Sequence, residues 1–468
     1  MLRSLFLTLM YVSFLGLGLA APFILTLGYA WVDTFRPQGV AWYILNQLPV
    51  ALIMGVAAVG SYFLMDRRSP PRLTLTSLFT VLLACWVTLT MVWAEVPDAG
   101  WQKWDWAFKT VIFSAFIPLV IRSRVQIEAF LQVYVFALAA NFVPFAGKVL
   151  FSGGGYGRNL GLMGGNDNLS EGGLLSIAVL MSIPLALHLG RHTQLLPRTR
   201  LVKLGYTALA GFALLTALGT YERSALVGMV ALGGYMFLRS RHKLTFGLCL
   251  AVIGAVIAYM MSGTWADRIA TIRDPTTDVS ALTRMLVWQW TIKYVAIHPF
   301  GGGFNCYVID RIELPDGQLI LGHAFESSYF ELLGEQGWVG FGLFFGMIAW
   351  TLFSLRRLAR RTRNIPYLAW CADMSNALQA GLVVFLTAGG FLDVAFQPEP
   401  WYFLAMSVSL REYVRRVEQK AAPVSGRRTR GLPAMAGTIP VVAAGTPWQR
   451  RPAWSRPGQL DPRSKSLG

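Results

Sequence analysis

The chain has 468 residues, of which 54% are hydrophobic and only 14% charged, and its mean hydropathy is positive. That balance excludes a soluble globule and points to an all-α polytopic integral membrane protein. The net charge of +17 does not call for nucleic acid, because in such a protein the placement of Lys and Arg between spans matters more than their sum.

The first apolar run, Ser4 to about Trp31, follows Arg3 and continues past the small residues Ala20 and Ala21. It reads as an uncleaved first helix rather than a signal peptide. Further runs lie near 41–65, 73–94, 106–122, 127–150, 171–190, 204–221, 224–239, 243–262, 337–354, 375–394 and 399–414. Together they predict about twelve transmembrane helices. Basic clusters at Asp66-Arg67-Arg68, Arg122-Ser123-Arg124, Arg191 to Lys203, Arg239 to Lys243, Arg356 to Arg363 and from Arg415 onward fall on every second connection. The positive-inside rule assigns these connections to the cytoplasm, with both termini. Connections 95–105, 151–170, 222–223, 263–336 and 395–398 then lie outside.

The chain divides into N-terminal membrane helices (1–262), one large outer loop (263–336), C-terminal membrane helices (337–414) and a tail (415–468). The tail has eleven basic residues against two acidic ones, is rich in Pro, Gly and Ala, and reads as disordered. Its charge suits membrane lipid at about 1 kcal/mol per cation near the surface. Cys85, Cys249, Cys306 and Cys371 are scattered, which indicates neither a disulfide framework nor a metal cluster.

Chemistry is expected in the 263–336 loop, the one long stretch that is neither a span nor a tail. His188, His192 and His242 map to the cytoplasmic side, which leaves His298 and His323 outside. His298 precedes Pro299 and a glycine run and reads as structural. His323 follows Gly322 and opens an apparent helical pattern of Phe325, Tyr329, Leu332 and Leu333, with Glu326 three residues on to orient the imidazole. A neutral imidazole can take a proton from a hydroxyl near neutral pH, so His323 is the candidate base. Arg284 begins a stretch in which Met285, Trp288, Ile292 and Val295 recur at helical spacing, predicting a helix along the membrane surface. Arg223 lies between two apolar runs beside Glu222. Two permanent, bidentate cations on the same side as a base suit phosphate oxygens, and Arg158 in GGGYGRNLGLMGGNDNLSEGG is a third candidate. The glycines around it fit no nucleotide-binding loop. Trp265, Trp288, Trp290 and Tyr294 either line sugars or anchor the loop at the interface.

The segments TYERSALVG, LTRMLVWQWTIKYVAIHPFGGGF and GHAFESSYFELLGEQGWVGFGLFF, in that order, resemble the O-antigen ligase and polymerase superfamily. The N-terminal DTFRPQGVAWYILNQLP is similar to the O-glycosylation ligases associated with exosortase A systems. The resemblance covers roughly 150–410. It implies inverting, metal-independent and cofactor-free transfer of a glycan from undecaprenyl diphosphate on the periplasmic face of a bacterial inner membrane. The acceptor is a lipid, a protein or another glycan. By motif, His323 matches the family's loop histidine, proposed as the base, and Arg223 and Arg284 match arginines expected to hold the donor diphosphate. The chain departs from the common forms in having Glu222-Arg223-Ser224 for Ser-Arg-Gly and Ala324 for Asn after the histidine. A polymerase of the same superfamily and a lipid flippase are the competing readings.

Overall fold

The computed structural model describes residues 2–41, 44–152, 169, 171–240, 279–314 and 317–421, with a few positions between 243 and 255. Arg158, Trp265, most of the run near 243–262 and the tail from 422 lie outside the described residues. Within them seven helical stretches are long and apolar enough to cross a membrane: Leu2–Ala20, Leu75–Trp93, Arg124–Ser152, Gly172–His192, Arg200–Gly219, Ser328–Thr362 and Pro366–Phe391. The chain is a helical, polytopic membrane protein.

The first apolar run is two helices rather than one. Helix α1 (Leu2–Ala20) and α2 (Phe23–Phe35) are separated at Ala21-Pro22, where proline has no N–H to continue the ladder. The chain folds back so that Phe14 stacks on Trp31 at 5.6 Å. Helix α1 leaves Leu5, Phe6 and Leu9 facing outward, whereas α2 is buried along nearly its whole length. Two short helices, α3 (Pro37–Val40) and α4 (Ile44–Gln47), lead into α5 (Val50–Met65) and α6 (Leu75–Leu89). Helix α7 (Pro97–Val120) starts well ahead of the predicted 106–122 run and carries Lys103 in its first turns. Helices α8 (Arg124–Ser152), α9 (Gly172–His192), α10 (Arg200–Gly219) and α11 (Arg223–Arg239) follow.

From Val279 onward the stretch expected to be a loop contains regular elements. Helix α12 spans Val279–Ile297, and a two-stranded antiparallel hairpin, β1 (Arg311–Glu313) with β2 (Leu319–Leu321), comes next. Helix α13 begins at Ser328, ahead of the predicted 337, and runs to Thr362 with a break at Gly337. Helices α14 (Ala369–Ala388) and α15 (Pro398–Ala421) complete the described chain. From Trp401 to Leu410 every residue of α15 is buried, as in a helix surrounded by others. The disorder expected from 415 is absent up to Ala421, because Arg415 and Arg416 both turn back onto Glu412 at 2.6 Å and extend the helix.

The break in α13 explains the glycine run at 301–303. At Gly337 (φ 63°) the helical ladder fails, leaving carbonyls without their usual donors. The backbone N–H groups of Gly302 and Gly303 donate to Gly334 O and Glu335 O at 3.0 Å, and Trp338 N donates to Pro299 O at 3.0 Å. Such contact demands bare backbone: a Cβ on Gly301 would lie 2.5 Å from Glu335 O, and one on Gly337 2.4 Å from Pro299 O. Trp86 Nε1 closes the joint by donating to Gln336 O at 2.8 Å.

The basic connections also meet. Arg122 and Arg416 both donate to Ser69 O, Arg124 donates to His192 O, and Arg239 reaches Asn376 Oδ1. The clusters that alternate along the sequence therefore share one end of the bundle, and the kinked joint lies at the other.

Candidate active site

The joint supports the 322–328 segment, where the sequence expected a helix starting at His323. The segment is irregular up to Ser327, and Glu326 takes a left-handed conformation (φ 47°). The three-residue spacing of His323 and Glu326 therefore does not bring their side chains together as a helix would. The Glu326 carboxylate pairs instead with Arg284 Nε. Asp393 fixes this turn from across the fold, accepting from Glu326 N at 3.1 Å and Ser327 N at 2.8 Å. Desolvation, reinforced by the neighbouring charge of Glu331, pushes Asp393 up to about 7.

His323 is set by the hairpin. Its backbone N–H donates to Asp310 Oδ1 at 3.1 Å, just outside the paired strands. Burial raises the Asp310 carboxyl, while backbone hydrogen bonds from His323 and Gly322 pull it down. The ring Nδ1 of His323 lies 2.8 Å from Ala324 O. A carbonyl can only accept, so Nδ1 carries the proton, and in the neutral ring Nε2 presents a lone pair. That tautomer is the one a general base needs.

Arg284 projects from α12, which presents one face to the folded loop and leaves part of its apolar stripe outward. Thr283, Val287, Thr291, Tyr294 and Val295 are buried, whereas Met285 and Ile292 are exposed. The helix packs on the folded loop as well as on its own apolar stripe, which turns Arg284 toward Glu326. Trp288 donates from Nε1 to Phe325 O at 2.9 Å and stacks on Phe330 at 4.9 Å, while Trp290 stacks on Tyr294. These contacts hold the three rings against the loop; Trp265 lies outside the described residues.

Arg223 is the first residue of α11, entered through the left-handed Tyr221 (φ 56°). Glu222 lies over the start of α9, its Cγ 3.4 Å from where a Cβ on Gly172 would sit. Desolvation, then the charges of Glu222 and Glu326, raise the Glu171 carboxyl above its ordinary range. Glu171, the Glu222-Arg223 pair and the Arg284–Glu326 pair therefore share one neighbourhood. Gly173 packs on Leu392, whose carbonyl accepts from Ser328 Oγ at 2.8 Å, so the N-termini of α9 and α13 converge there too. Neither Glu171 nor Glu222 caps its helix through the side chain, and the positive ends of α9 and α11 face the cluster. Of the five residues foreseen, the fold gathers His323, Arg284, Glu326 and Arg223 at one end of the bundle; Arg158 lies outside the described residues.

The sequence reading missed the clamp beneath. Lys103 Nζ lies 2.7 Å from Glu331 and 2.8 Å from Glu335, successive turns of α13. Glu335 Oε1 accepts from Asn305 N, and Glu331 Oε2 from Ala395 N. Burial opposes the Lys103 charge, but Glu331, Glu335 and Asp393 outweigh it and hold the ammonium above its usual range. The i, i+4 glutamates were visible in the sequence; their lysine, more than two hundred residues away, was not. The Pro315-Asp316-Gly317 turn between alternating residues was the available signal for the hairpin and hence for Asp310.

Residues 208–345 match the O-antigen ligase family. Arg223, Arg284, His323 and Glu326 all fall within this match, which is narrower than the 150–410 stretch of the resemblance. Residues 2–194 match a family of unknown function (DUF5935), and no curated protein matches the chain. The ligase-family match supports a glycan-processing enzyme of ligase or polymerase type, working in a membrane on a lipid-linked glycan and an acceptor. Lys103 and Trp86, which brace α13 at the site, come from the other matched region.

Proposed function

We propose that the protein is an inner-membrane glycan ligase transferring an oligo- or polysaccharide from undecaprenyl diphosphate to an acceptor hydroxyl on the periplasmic face. The observation that carries this reading is the His323 ring, whose Nδ1 is held at Ala324 O so that Nε2 can accept the acceptor's proton as its oxygen attacks the anomeric carbon. Displacement on the face opposite the diphosphate inverts that centre. The leaving group is already a stabilised diphosphate, so its departure requires positive charge more than a general acid. Arg284 and Arg223 supply it, with Arg158 a further candidate, and the N-termini of α9 and α11 add their partial charge.

Glu326 has a part in this scheme that differs from orienting the imidazole. Paired with Arg284, it holds the guanidinium in place and yields it when the more highly charged diphosphate arrives. The orientation we propose, with both termini in the cytoplasm, is supported by the basic clusters that share the far end of the bundle.

The test is transfer by the purified protein, with labelled undecaprenyl-diphosphate glycan as donor and EDTA present. A single glycan joined to a lipid or protein acceptor supports a ligase; a lengthened chain on the carrier lipid would make it a polymerase. Activity lost to EDTA and restored by magnesium or manganese would reassign the electrostatic catalyst.

A further inference from the structure

A second cluster lies at the end of the bundle away from His323. His188 and His192 are four residues apart on α9 and therefore share a face. Asp373 approaches them from α14, with its Oδ2 3.2 Å from His192 Nε2 and 3.5 Å from His188 Nδ1. The three ligand atoms lie within 4.8 Å of one another. Neither His188 Nδ1 nor Asp373 Oδ2 has a hydrogen-bond partner among the described residues, although both atoms are buried and His188 is only 5% exposed. A buried carboxylate oxygen shared by two imidazoles in poorly aligned contacts is a setting that a bound cation would satisfy better.

We infer that His188, His192 and Asp373 form a binding site for a divalent transition-metal ion of the zinc type. Imidazole and carboxylate donors lie about 2.0–2.2 Å from zinc, so neighbouring donors of a tetrahedral site are roughly 3.3 Å apart. The two contacts of Asp373 Oδ2 already have about that length, and the third edge, between the imidazole nitrogens, is at most 4.8 Å and would close by rotation of the rings. Arg191 lies 3.6 Å from Asp373 Oδ1; it steadies the carboxylate through the oxygen not assigned to the metal. A cavity of about 10 Å³ lined by Arg124, Glu128, His188, His192 and Trp370 among others adjoins the cluster, room for about one water as fourth ligand. His192, 30% exposed, gives the ion its route in.

The ion would staple α9 to α14. Helix α9 has 21 residues, so at about 1.5 Å per residue the site is roughly 30 Å from Glu171 and the proposed chemistry. The role is structural, and the inference does not depend on the glycan reading.

The experiment uses the full chain purified in detergent without a polyhistidine tag, with Co²⁺ as the probe. About one Co²⁺ per chain should bind with the visible absorption of a tetrahedral site, and Zn²⁺ should displace it and raise the melting temperature. Asp373→Asn and His192→Gln should each weaken Co²⁺ binding by more than about 100-fold, beyond the 10–100-fold that loss of a supporting hydrogen bond costs. If Asp373→Asn does not fold, the partly exposed His192→Gln decides. Absence of stoichiometric Co²⁺, or unchanged binding in His192→Gln, would overturn the site and leave a carboxylate shared by two histidines.

Discussion

Two charge clusters at the same end of the bundle are built from similar residues and solve different problems. Lys103 between Glu331 and Glu335 is closed: the three side chains are 11%, 2% and 0% exposed. Arg284 with Glu326 is open, at 25% and 33%. Buried charges lose hydration that only close partners replace, so breaking the first cluster damages the fold. A partly hydrated pair is weak and exchangeable, so the second can release its arginine to a ligand. Exposure, more than residue type, separates the clamp from the proposed site.

The sharpest break of that comparison is His323→Ala on the open side. Transfer should fall by about 10²–10⁴, the usual worth of general base catalysis, while donor binding and melting temperature stay near wild type. A fully active variant would remove the base from the scheme.

On the closed side, Lys103→Met leaves two buried carboxylates facing each other and should cost about 3–5 kcal/mol of stability. Thermal unfolding in detergent checks this, and an unchanged melting temperature would mean that the clamp is not structural. Arg284→Lys sharpens the contrast from the open side. It keeps the charge but loses the fork, so donor affinity should drop roughly tenfold, the equivalent of one charge-assisted hydrogen bond, with stability unchanged. Combined with Arg223→Lys the losses should be non-additive if both arginines hold one diphosphate, whereas independent losses would separate their roles.

A pH dependence should arise between the clusters, at Asp393. Its folded value of about 7 exceeds that of an unfolded aspartate, about 4. Folding therefore takes up protons between those pH values. This contribution to stability is complete below about pH 4 and declines as pH rises through 7. Asp393→Asn should flatten that part of the dependence of melting temperature on pH; an unaltered slope would place the titration elsewhere.

Composition and run length determined that the chain is a helical membrane protein, because burying apolar length in lipid needs no knowledge of partners. Alternating arginines foretold which connections share an end, and local motif order singled out His323, Arg284 and Arg223 as candidates. Tertiary structure alone decided the rest. It gave Glu326 to Arg284 rather than His323, because a left-handed residue and the Asp393 carboxylate stop helix formation before Ser328. It gave Lys103 to glutamates more than two hundred residues away, and the glycines at 301–303 to the carbonyls freed at Gly337. Such pairings depend on which backbone groups are left without partners after the helices have packed, and hydrophobic periodicity carries no information about that.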